Sequence, residues 1–528
     1  MAEEKRIFGP PGTGKTYILC NTIIPEMIEK YGREKIMVTS FTKTAAVNIA
    51  TRAGLPLGPM HGTLHSISFQ ALGQPPLVDT KIKDWNNLNP HWTIGSKSEK
   101  GEANGILSIY QLLQNKMIPI KEWPQEVQDF EKKWTNFKLK TGTVDFLDMI
   151  IQAKEQLIFP PFHPAVIVVD EGQDFSPLQL KLVRAWGLHI SRLFIACDDD
   201  QAIYSFQGAD IETLLVPDVP KEQKIFLTQS FRVPIAAHKL AIGISKKISF
   251  REEKEYSPTI VDGSVDFGEG SFESPTWAIN KALELDGSSM FMATCGYMLK
   301  PLINELRVSG IPFHNPFKIE DKVWNPLSNK ASEMLYNFMT CGEDVPYWST
   351  EQLLGWIKEI KIGETGLIRI HAKKLIKLLE AELKKGTEGL HTCREYLEDL
   401  FEKPVIDKII NRDLDWFMEN TKKSNINAIK YPKKIIENGS IEMLKATPKI
   451  MIGTIHSFKG TEADNVFIYP DISWAAFKEF QASVMGKDDM HRLMYVAVTR
   501  TIERLFIMRP SRNSGSNYYK FLLKNTCK

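Results

Sequence analysis

The sequence predicts an α/β fold in which parallel sheets are flanked by helices. Six short runs rich in β-branched and apolar residues have the composition of buried parallel strands, at 35–40, 165–169, 193–197, 289–294, 449–454 and 465–470. Helical spacing of apolar residues fills several intervals between them, at 17–31, 42–53 and 177–186. Since such alternation builds parallel sheets, and the runs form one cluster before about residue 215 and one after it, we expect two α/β domains.

Length and composition limit the class of protein. The chain has 528 residues with 43% hydrophobic and 25% charged residues, an ordinary globular profile that is too long for one core. The net charge of +2 indicates no basic field over the whole molecule. Six cysteines form no C-x-x-C pair, so we expect neither a zinc site nor a disulfide framework but a reducing, cytoplasmic location. We expect no secretory signal and no membrane span, because no apolar run approaches the ~18 residues that a span needs.

Two segments interrupt the strand clusters. Residues 73–141 lack the strand pattern, contain four tryptophans and predict a mainly helical insertion. Residues 317–445 predict a second one, with an amphipathic helix from Ile370 and a basic stretch from Lys422 to Lys434. That stretch is either a contact patch for a binding partner or a solvated helix face and linker, and the charge pattern favours the second interpretation.

The strongest local motif is G-x-x-x-x-G-K-T at residues 9–16, followed by a helical pattern from Tyr17. Glycines let successive backbone N–H groups converge on phosphate oxygens, and the helix N-terminus adds its positive dipole end. We expect Lys15 to reach the β and γ phosphates of a nucleoside triphosphate and the Thr16 hydroxyl to bind Mg²⁺. The predicted nucleotide-binding residues are Gly9, Pro10, Pro11, Gly12, Thr13, Gly14, Lys15 and Thr16.

A pair of carboxylates supports this site. The run Val166–Val169 delivers Asp170 and Glu171 at its carboxyl end, where ligands of open α/β sheets bind. Asp170 can hold Mg²⁺, and Glu171 can polarise an attacking water, so the pattern predicts hydrolysis. Alone, an Asp-Glu pair after a strand is often a solvated loop or helix cap; the P-loop favours the catalytic interpretation.

Further motifs carry a resemblance to a known family. Asp-Glu-Gly-Gln-Asp at 170–174, Cys-Asp-Asp-Asp-Gln-Ala-Ile-Tyr-Ser-Phe-Gln-Gly-Ala-Asp at 197–210, Gln-Ser-Phe-Arg at 229–232, Gly-Thr-Ile-His-Ser-Phe-Lys-Gly-Thr-Glu at 453–462 and Tyr-Val-Ala-Val-Thr-Arg at 495–500 follow one another in the order of superfamily 1A helicases. The chain resembles the UvrD/PcrA/Rep group over almost its whole length. Several motifs in one order are more specific than any single motif.

The resemblance implies two RecA-like domains with two insertions. Domain 1A would comprise 1–72 and 142–214, insertion 1B 73–141, domain 2A 215–316 and 446–528, and insertion 2B 317–445. ATP would lie in the cleft between 1A and 2A. By resemblance, Gln201 senses the γ-phosphate, Arg232 and Arg500 act as arginine fingers, and Glu462 contributes to the nucleotide site. Rigid cations are needed there because charge develops on the transferring phosphoryl group.

Two aromatic residues depart from the family pattern near the nucleotide. Relatives carry a glutamine segment upstream of the P-loop that reads adenine, whereas only eight residues precede Gly9 here. Tyr17 and Phe231 stand where relatives commonly have arginine and tyrosine. We hypothesise that the two rings grip any base by stacking; the alternative is that both are core aromatics.

The family match also nominates residues for a single-strand track. Helicases of this type stack bases on exposed aromatics and hold phosphates with hydroxyls, amides and a few cations. Phe41, Tyr204 and Phe206 are the predicted stacking residues. Thr63, His65 and His456 are the predicted backbone contacts. Each aromatic could instead belong to a core.

The sequence thus predicts an ATP-dependent DNA helicase with Mg²⁺ as cofactor and ATP as substrate. The resemblance implies 3′ to 5′ movement on single-stranded DNA and action at junctions of single-stranded and duplex DNA. It also implies a cytoplasmic location, either associated with the nucleoid or at a viral replication site. Alternatives are a translocase subunit that serves a repair, replication or nuclease partner, an RNA helicase, and a nucleotide-gated module without turnover. The last is disfavoured because Lys15, Glu171 and Arg500 are all present.

Overall fold

The computed structural model describes residues 3–95, 104–340, 347–362, 372–385, 390–512 and 516–526. The chain divides into two compact units. The first comprises Met1–Ser264, Trp474–Glu503 and Leu523–Lys528, and the second Val265–Ser473 and Arg504–Leu522. The boundary that we expected after residue 214 differs from this division, because 215–264 and 474–503 belong to the first unit.

The first unit contains a six-stranded parallel sheet. Its strands are β1 (Glu3–Phe8), β2 (Ile36–Ser40), β3 (His61–Gly62), β4 (Val166–Asp170), β5 (Arg192–Cys197) and β6 (Lys224–Phe226). Their order is β3-β2-β4-β5-β1-β6, and every neighbouring pair is parallel. The predicted strands at 35–40, 165–169 and 193–197 are confirmed. β2 and β4 are buried along their whole length, as expected for strands with helices on both faces.

The register of the sheet sets the position of its carboxyl edge. Phe8 lies opposite Cys197 across β1 and β5, and Ser40 lies opposite Asp170 across β2 and β4. The segments that follow β1, β2, β4 and β5 therefore leave the sheet at one edge, which is where ligands of open α/β sheets bind.

Helices of the first unit begin at side-chain caps in several places. Thr42, Asp145 and Ser176 each accept a hydrogen bond from a backbone N–H of the first turn, and the last two form complete capping boxes. The α-helices are Lys15–Ile18, Ile24–Tyr31, Lys43–Arg52, Leu64–Ala71, Ile82–Leu88, Asn104–Asn115, Gln125–Thr141, Phe146–Glu155, Pro177–Gly187, Ile211–Leu215, Ile235–Ser245, Trp474–Ala482 and Val484–Val498. A π-helical turn, Leu19–Ile23, joins the first two.

The segment 73–141, which we expect to be an insertion, contains α-helices and shares a core with the sheet. Trp85, Trp123 and Trp134 are buried in one hydrophobic cluster that also contains Ile167 and Val169 of β4. The tryptophans of this segment therefore anchor its helices on the sheet domain.

The second unit contains a second six-stranded sheet. Its strands are β7 (Ser264–Phe267), β8 (Ser289–Ala293), β9 (Phe313–His314), β12 (Ile450–Thr454), β13 (Ala463–Ile468) and β14 (Thr501–Ile507), in the order β7-β14-β13-β8-β12-β9. β8 pairs in parallel with β12 and β13, and β12 with β9. A small antiparallel pair, β10 (Tyr347–Ser349) and β11 (Leu390–Thr392), lies in the second insertion. The predicted strands at 289–294, 449–454 and 465–470 are confirmed.

Helices predominate elsewhere in the second unit. They are Thr276–Glu284, Lys300–Val308, Lys330–Met339, Thr350–Ile357, Ala372–Lys384, Cys393–Leu400, Lys403–Ile410, Leu414–Asn420 and Lys423–Asn438, and Tyr519–Thr526 follows near the end of the chain. The basic stretch lies on Lys423–Asn438. Tyr431 is buried there and donates to Ile311 O at 2.7 Å, and Lys433 forms an ion pair with Asp415, so the stretch is a packed helix with a charged outer face. Within the described residues, no helix is long and apolar enough to cross a membrane.

Candidate functional site

The P-loop connects β1 to the first helix of the chain, the strand–loop–helix context that the motif requires. Gly9 N donates to Cys197 O at 3.1 Å, which ties the start of the loop to the end of β5. Lys15 Nζ donates to Gly9 O at 2.7 Å, so the lysine folds back over the loop. A Cβ on Gly9 would lie 2.6 Å from Lys15 Cγ, and Gly12 and Gly14 have φ of 76° and 82°. The loop therefore needs glycine at these positions.

Asp170 ends β4 and is almost completely buried. Its Oδ1 has no hydrogen-bond partner among the described residues. Burial and the neighbouring Glu171 raise the pKa of this carboxyl to about 7, against the opposing charge of Lys15. An unsatisfied buried carboxylate oxygen next to a P-loop is a suitable oxygen ligand for Mg²⁺, together with the Thr16 hydroxyl and nucleotide phosphates. The residues present thus fit the cation that the sequence predicts.

Glu171 is positioned by a glutamine that sequence reasoning missed. Glu171 has φ 54° and ψ 43°, a left-handed conformation uncommon for a residue with a side chain. The amide of Gln173 donates to Glu171 Oε2, and Gln173 Oε1 accepts from Asp198 N at 2.9 Å. Gln173 therefore links the end of β4 to the end of β5. Its place in the Asp-Glu-Gly-Gln-Asp motif was the only sequence signal for it.

Gln201 and Arg500 meet inside the first unit. Gln201 Nε2 donates to Asp198 Oδ2 at 2.7 Å, and Arg500 Nη2 donates to Gln201 Oε1 at 2.9 Å. Arg500 is buried and also donates from Nε to Val496 O at 3.1 Å, so its own helix holds the guanidinium. A hydrogen-bonded chain therefore runs from Glu171 through Gln173, Asp198 and Gln201 to Arg500.

The Gln229–Arg232 segment contacts the P-loop directly. Ser230 Oγ donates to Pro11 O at 3.0 Å, and Phe231 N donates to Gly12 O at 2.9 Å. A Cβ on Gly12 would lie 2.7 Å from Arg232 Cβ, which places the start of the Arg232 side chain against the loop. Tyr256, which sequence reasoning did not single out, donates from its hydroxyl to Pro11 O at 2.9 Å.

The two aromatics that we proposed for base stacking are exposed. Tyr17 is 70% exposed and Phe231 78%, so the alternative that both are core residues is wrong. Both residues adjoin the P-loop. Tyr17 lies in the first helical turn, directly after Thr16, and the backbone N–H of Phe231 donates a hydrogen bond to Gly12 O.

The predicted strand-track residues of the first unit also follow strand ends. Phe41 comes after β2, and its ring stacks on Tyr204 with centroids 4.9 Å apart, while Phe206 is 58% exposed. Thr63 Oγ1 accepts from Ser66 N and caps the helix Leu64–Ala71. Burial lowers the pKa of His65 to about 4, which keeps this imidazole neutral at physiological pH.

His456 and Glu462 belong to the second unit. His456 lies in the turn Ile455–Phe458 after β12, and Glu462 directly precedes β13. His456 therefore stands near the carboxyl end of β12. Glu462 precedes the start of β13, which is level with the start of β12, because Asn465 and Ile450 both lie opposite Ser289 of β8.

Comparison with known families gives two matches. Residues 2–207 match a family model described as an AAA domain, and residues 359–511 match the model of the UvrD-like helicase C-terminal domain. The first match contains the P-loop and Gln201; the second contains His456, Glu462 and Arg500.

Several curated proteins are similar to this chain. DNA helicase II of Salmonella typhimurium is 26% identical over 42% of this chain and 35% of its own length. The ATP-dependent DNA helicase PcrA of Bacillus subtilis is 26% identical over 49% of this chain and 41% of its own length. The ATP-dependent DNA helicase Rep of Buchnera aphidicola is 22% identical over 95% of this chain and 88% of its own length. The chain thus spans well under half the length of the first two relatives, and most of the third.

Proposed function

Because this chain belongs to the UvrD/PcrA/Rep-like family of superfamily 1A helicases, we propose that it is an ATP-dependent DNA helicase that couples hydrolysis to movement along single-stranded DNA. We propose that residues 73–141 and 317–445 are the insertions 1B and 2B of the two RecA-like domains. The proposed direction of movement is 3′ to 5′, and the proposed substrates are single strands and their junctions with duplex DNA.

One observation carries the proposal. Asp170 ends one strand of the first sheet, and Lys15 and Gln201 lie in segments that follow two other strands at the same carboxyl edge. Arg500 reaches Gln201 through a 2.9 Å hydrogen bond. A nucleotide-binding module without turnover needs the P-loop alone. The further presence of a carboxylate pair and a buried arginine on the amide of Gln201 supports hydrolysis.

In the proposed mechanism each side chain acts on a stated part of the nucleotide. Backbone N–H groups of the P-loop and the ammonium of Lys15 bind the phosphates. Thr16 and Asp170 would hold Mg²⁺, which supplies charge neutralisation on the phosphate oxygens. Glu171 accepts a proton from the attacking water, held in place by the amide of Gln173.

Charge that develops on the γ-phosphate needs rigid cations. We assign this work to Arg232 and Arg500, with Gln201 as the residue that senses the γ-phosphate and orients Arg500. A guanidinium fixed by hydrogen bonds to protein acceptors requires little reorganisation when charge develops, and such residues contribute roughly 10³ to 10⁵ in rate. We propose that Glu462 also contributes to nucleotide binding.

The base and the DNA strand would be held mainly by stacking. Tyr17 and Phe231 are proposed to contact the base with little discrimination between purines, because a ring face offers no hydrogen-bond code. Phe41, Tyr204 and Phe206 are the proposed stacking residues for DNA, with Thr63, His65 and His456 as backbone contacts. Of the described aromatics in this set, Phe206 is the most exposed and is our first candidate.

The proposal is tested with duplex DNA that carries a 3′ or a 5′ single-stranded tail. We expect ATP-dependent displacement from the 3′-tailed substrate, and none by Lys15→Ala. Displacement from the 5′-tailed substrate alone would contradict the direction. Strand-stimulated hydrolysis without displacement would favour a translocase that depends on a repair, replication or nuclease partner, and stimulation by RNA but not DNA would favour an RNA helicase. Absence of strand-stimulated hydrolysis in the wild type would overturn the proposal.

A further inference from the structure

A lysine in the first unit lies buried among three consecutive carboxylates. The side chain of Lys254 is 1% exposed, and its Nζ lies 3.3, 2.6 and 3.0 Å from carboxylate oxygens of Asp198, Asp199 and Asp200. All three aspartates are buried as well. No other lysine among the described residues makes so many buried ion pairs, and neither the motifs nor the proposed mechanism assigns it a role.

Neighbouring groups of the same segment complete the cluster. Arg251 binds both carboxylate oxygens of Asp200, from Nε at 2.7 Å and from Nη2 at 2.6 Å. The backbone N–H of Glu252 donates to Asp199 Oδ2 at 2.7 Å. Residues 251–254 thus clamp the turn that follows β5, and Asp198, Asp199 and Asp200 each have a cationic partner.

Asp198 connects this clamp to the nucleotide-sensing residues. One carboxylate oxygen, Oδ1, faces Lys254, while the other, Oδ2, accepts from Gln201 Nε2 at 2.7 Å. A primary amide has a donor end and an acceptor end. When the donor end of Gln201 is bound to Asp198, the acceptor end, Oε1, is the one that faces Arg500. The orientation of Asp198 therefore fixes which atom Gln201 offers to the arginine.

Charge reinforces this arrangement. Burial raises the pKa of Asp198, and Lys254 is the strongest opposing influence. Without Lys254, a buried aspartate beside two others would favour its protonated form, which can donate as well as accept. Since replacing buried ion pairs by apolar groups is often neutral for stability, the cluster is weak support for a purely stabilising role.

We propose that Lys254 is a positioning residue for nucleotide hydrolysis, which holds Asp198 so that the amide of Gln201 presents its oxygen to Arg500. The inference rests on the proposed function. It assigns Lys254 no contact with the nucleotide and predicts an effect that passes through Gln201.

The test is a double-mutant cycle on strand-stimulated ATP hydrolysis by the full chain. It compares Lys254→Met, Gln201→Ala and the double variant with the wild type. We expect Lys254→Met to lower kcat about 10- to 100-fold with KM for ATP changed less than about threefold, because the lost interaction acts in the transition state. We expect the double variant to be no slower than Gln201→Ala, because residues that act through one another are not additive.

A matched control comes from the same unit. Lys138 is also buried and pairs with two carboxylates, those of Asp145 at 2.7 Å and Asp148 at 2.6 Å, and neither belongs to the turn after β5 or to residues 251–254. Lys138→Met should leave kcat of the folded protein within about twofold of the wild type, although loss of a buried ion pair lowers its stability. Equal losses of kcat in Lys138→Met and Lys254→Met would show that the effect is general destabilisation and would overturn the inference.

A second variant tests whether a low kcat in Lys254→Met results from destabilisation of the fold. Lys254→Met/Asp199→Asn keeps the net charge of the cluster, because one carboxylate and one cation are removed together. It retains an oxygen acceptor at residue 199 for the N–H of Glu252. Its thermal unfolding midpoint should approach that of the wild type while its kcat stays low. A wild-type kcat in this variant contradicts the inference.

The outcomes separate this inference from the proposed function. A wild-type kcat in Gln201→Ala would overturn the proposed role of Gln201 and, with it, the inference. A slow Gln201→Ala beside a normal Lys254→Met, or losses that multiply in the double variant, would overturn the role of Lys254 alone.

Discussion

Arg500 donates from Nη2 to Oε1 of Gln201 over 2.9 Å, which joins two buried residues that are 299 positions apart in the chain. Gln201 follows β5 of the first sheet, and Arg500 comes directly before β14 at the end of the helix Val484–Val498. The contact thus connects the end of a strand near the P-loop to a helix encoded almost at the end of the sequence. The proposed roles of both residues in hydrolysis rest on this contact.

Replacing Arg500 tests that pair. Arg500→Ala should lower strand-stimulated kcat by about 10³-fold, because a fixed cation for the developing phosphoryl charge is lost. Phosphate release measured with and without single-stranded DNA gives the comparison. Arg192→Gln is the control, since Arg192, at the start of β5, forms a partly exposed pair with Glu3 and donates to Ser191 O. Full activity of Arg500→Ala would show that the arginine is structural.

Glu171→Gln should separate binding from hydrolysis. The amide keeps the shape of the side chain but cannot accept the proton of the attacking water, so kcat should fall about 10²- to 10⁴-fold. Binding of a fluorescent ATP analogue should be retained, and single-turnover phosphate release should be slow. The exposed Glu155→Gln serves as the control. Unchanged hydrolysis would remove Glu171 from the mechanism.

The exposed aromatics at the P-loop predict weak base selectivity. Tyr17→Ala and Phe231→Ala should each raise KM about tenfold for ATP and GTP alike, because stacking is lost equally for both purines. Steady-state turnover with the two nucleotides measures this. A wild-type preference for ATP above about 100-fold would indicate hydrogen-bond readout of adenine and contradict the stacking hypothesis.

Phe206→Ala should weaken binding of single-stranded DNA. A lost base–aromatic stack corresponds to about 1–3 kcal/mol, so the dissociation constant should rise roughly 5- to 160-fold. Fluorescence anisotropy with a labelled oligonucleotide is the measurement. Phe162 is 62% exposed, against 58% for Phe206, and lies before β4, so Phe162→Ala is a matched control. Equal affinities of the two variants would contradict the assignment.

His65 predicts a loss of stability at low pH. Burial lowers its pKa from 6.5 to about 4 in the folded protein, so between these values the unfolded chain binds the proton and the folded protein does not. The contribution of neutral His65 to the free energy of unfolding is therefore fully present above about pH 6.5. As pH falls toward 4, the free energy of unfolding decreases on this account by about 3 kcal/mol at most. Urea unfolding midpoints should fall less steeply with decreasing pH in His65→Asn than in the wild type. Parallel pH profiles would contradict this.

The fold class and the phosphate site were predictable from local sequence patterns. A strand that is buried on both faces has a continuous apolar sequence wherever it lies in the chain. The predicted apolar runs coincide with six strands of the structure, namely β2, β4, β5, β8, β12 and β13. The P-loop is contiguous, so its residues specify their own geometry. The sequence pattern does not predict β6, because this strand has three residues and is only partly buried. For this reason it also does not predict that the first unit extends to Ser264.

Contacts between distant segments had no such signal. The Gln173 side chain bridges the ends of β4 and β5, a role that its place in a motif does not indicate. Lys254 lies in a charged stretch of the sequence, and only the packed structure places it on three carboxylates. A lone lysine or glutamine in a sequence is far more often solvated than buried.

Residues adjacent in the chain, or motifs in a fixed order, are enough to predict the parallel α/β class, the phosphate loop, the carboxylate pair at the end of β4 and the resemblance to a helicase family. Packing of the folded chain is needed to show that Arg500 binds Gln201, that Lys254 is buried against Asp198, and that Tyr17 and Phe231 are exposed at the P-loop. Burial and hydrogen-bond partners are properties of that packing. Chain segments hundreds of residues apart must meet before either is defined.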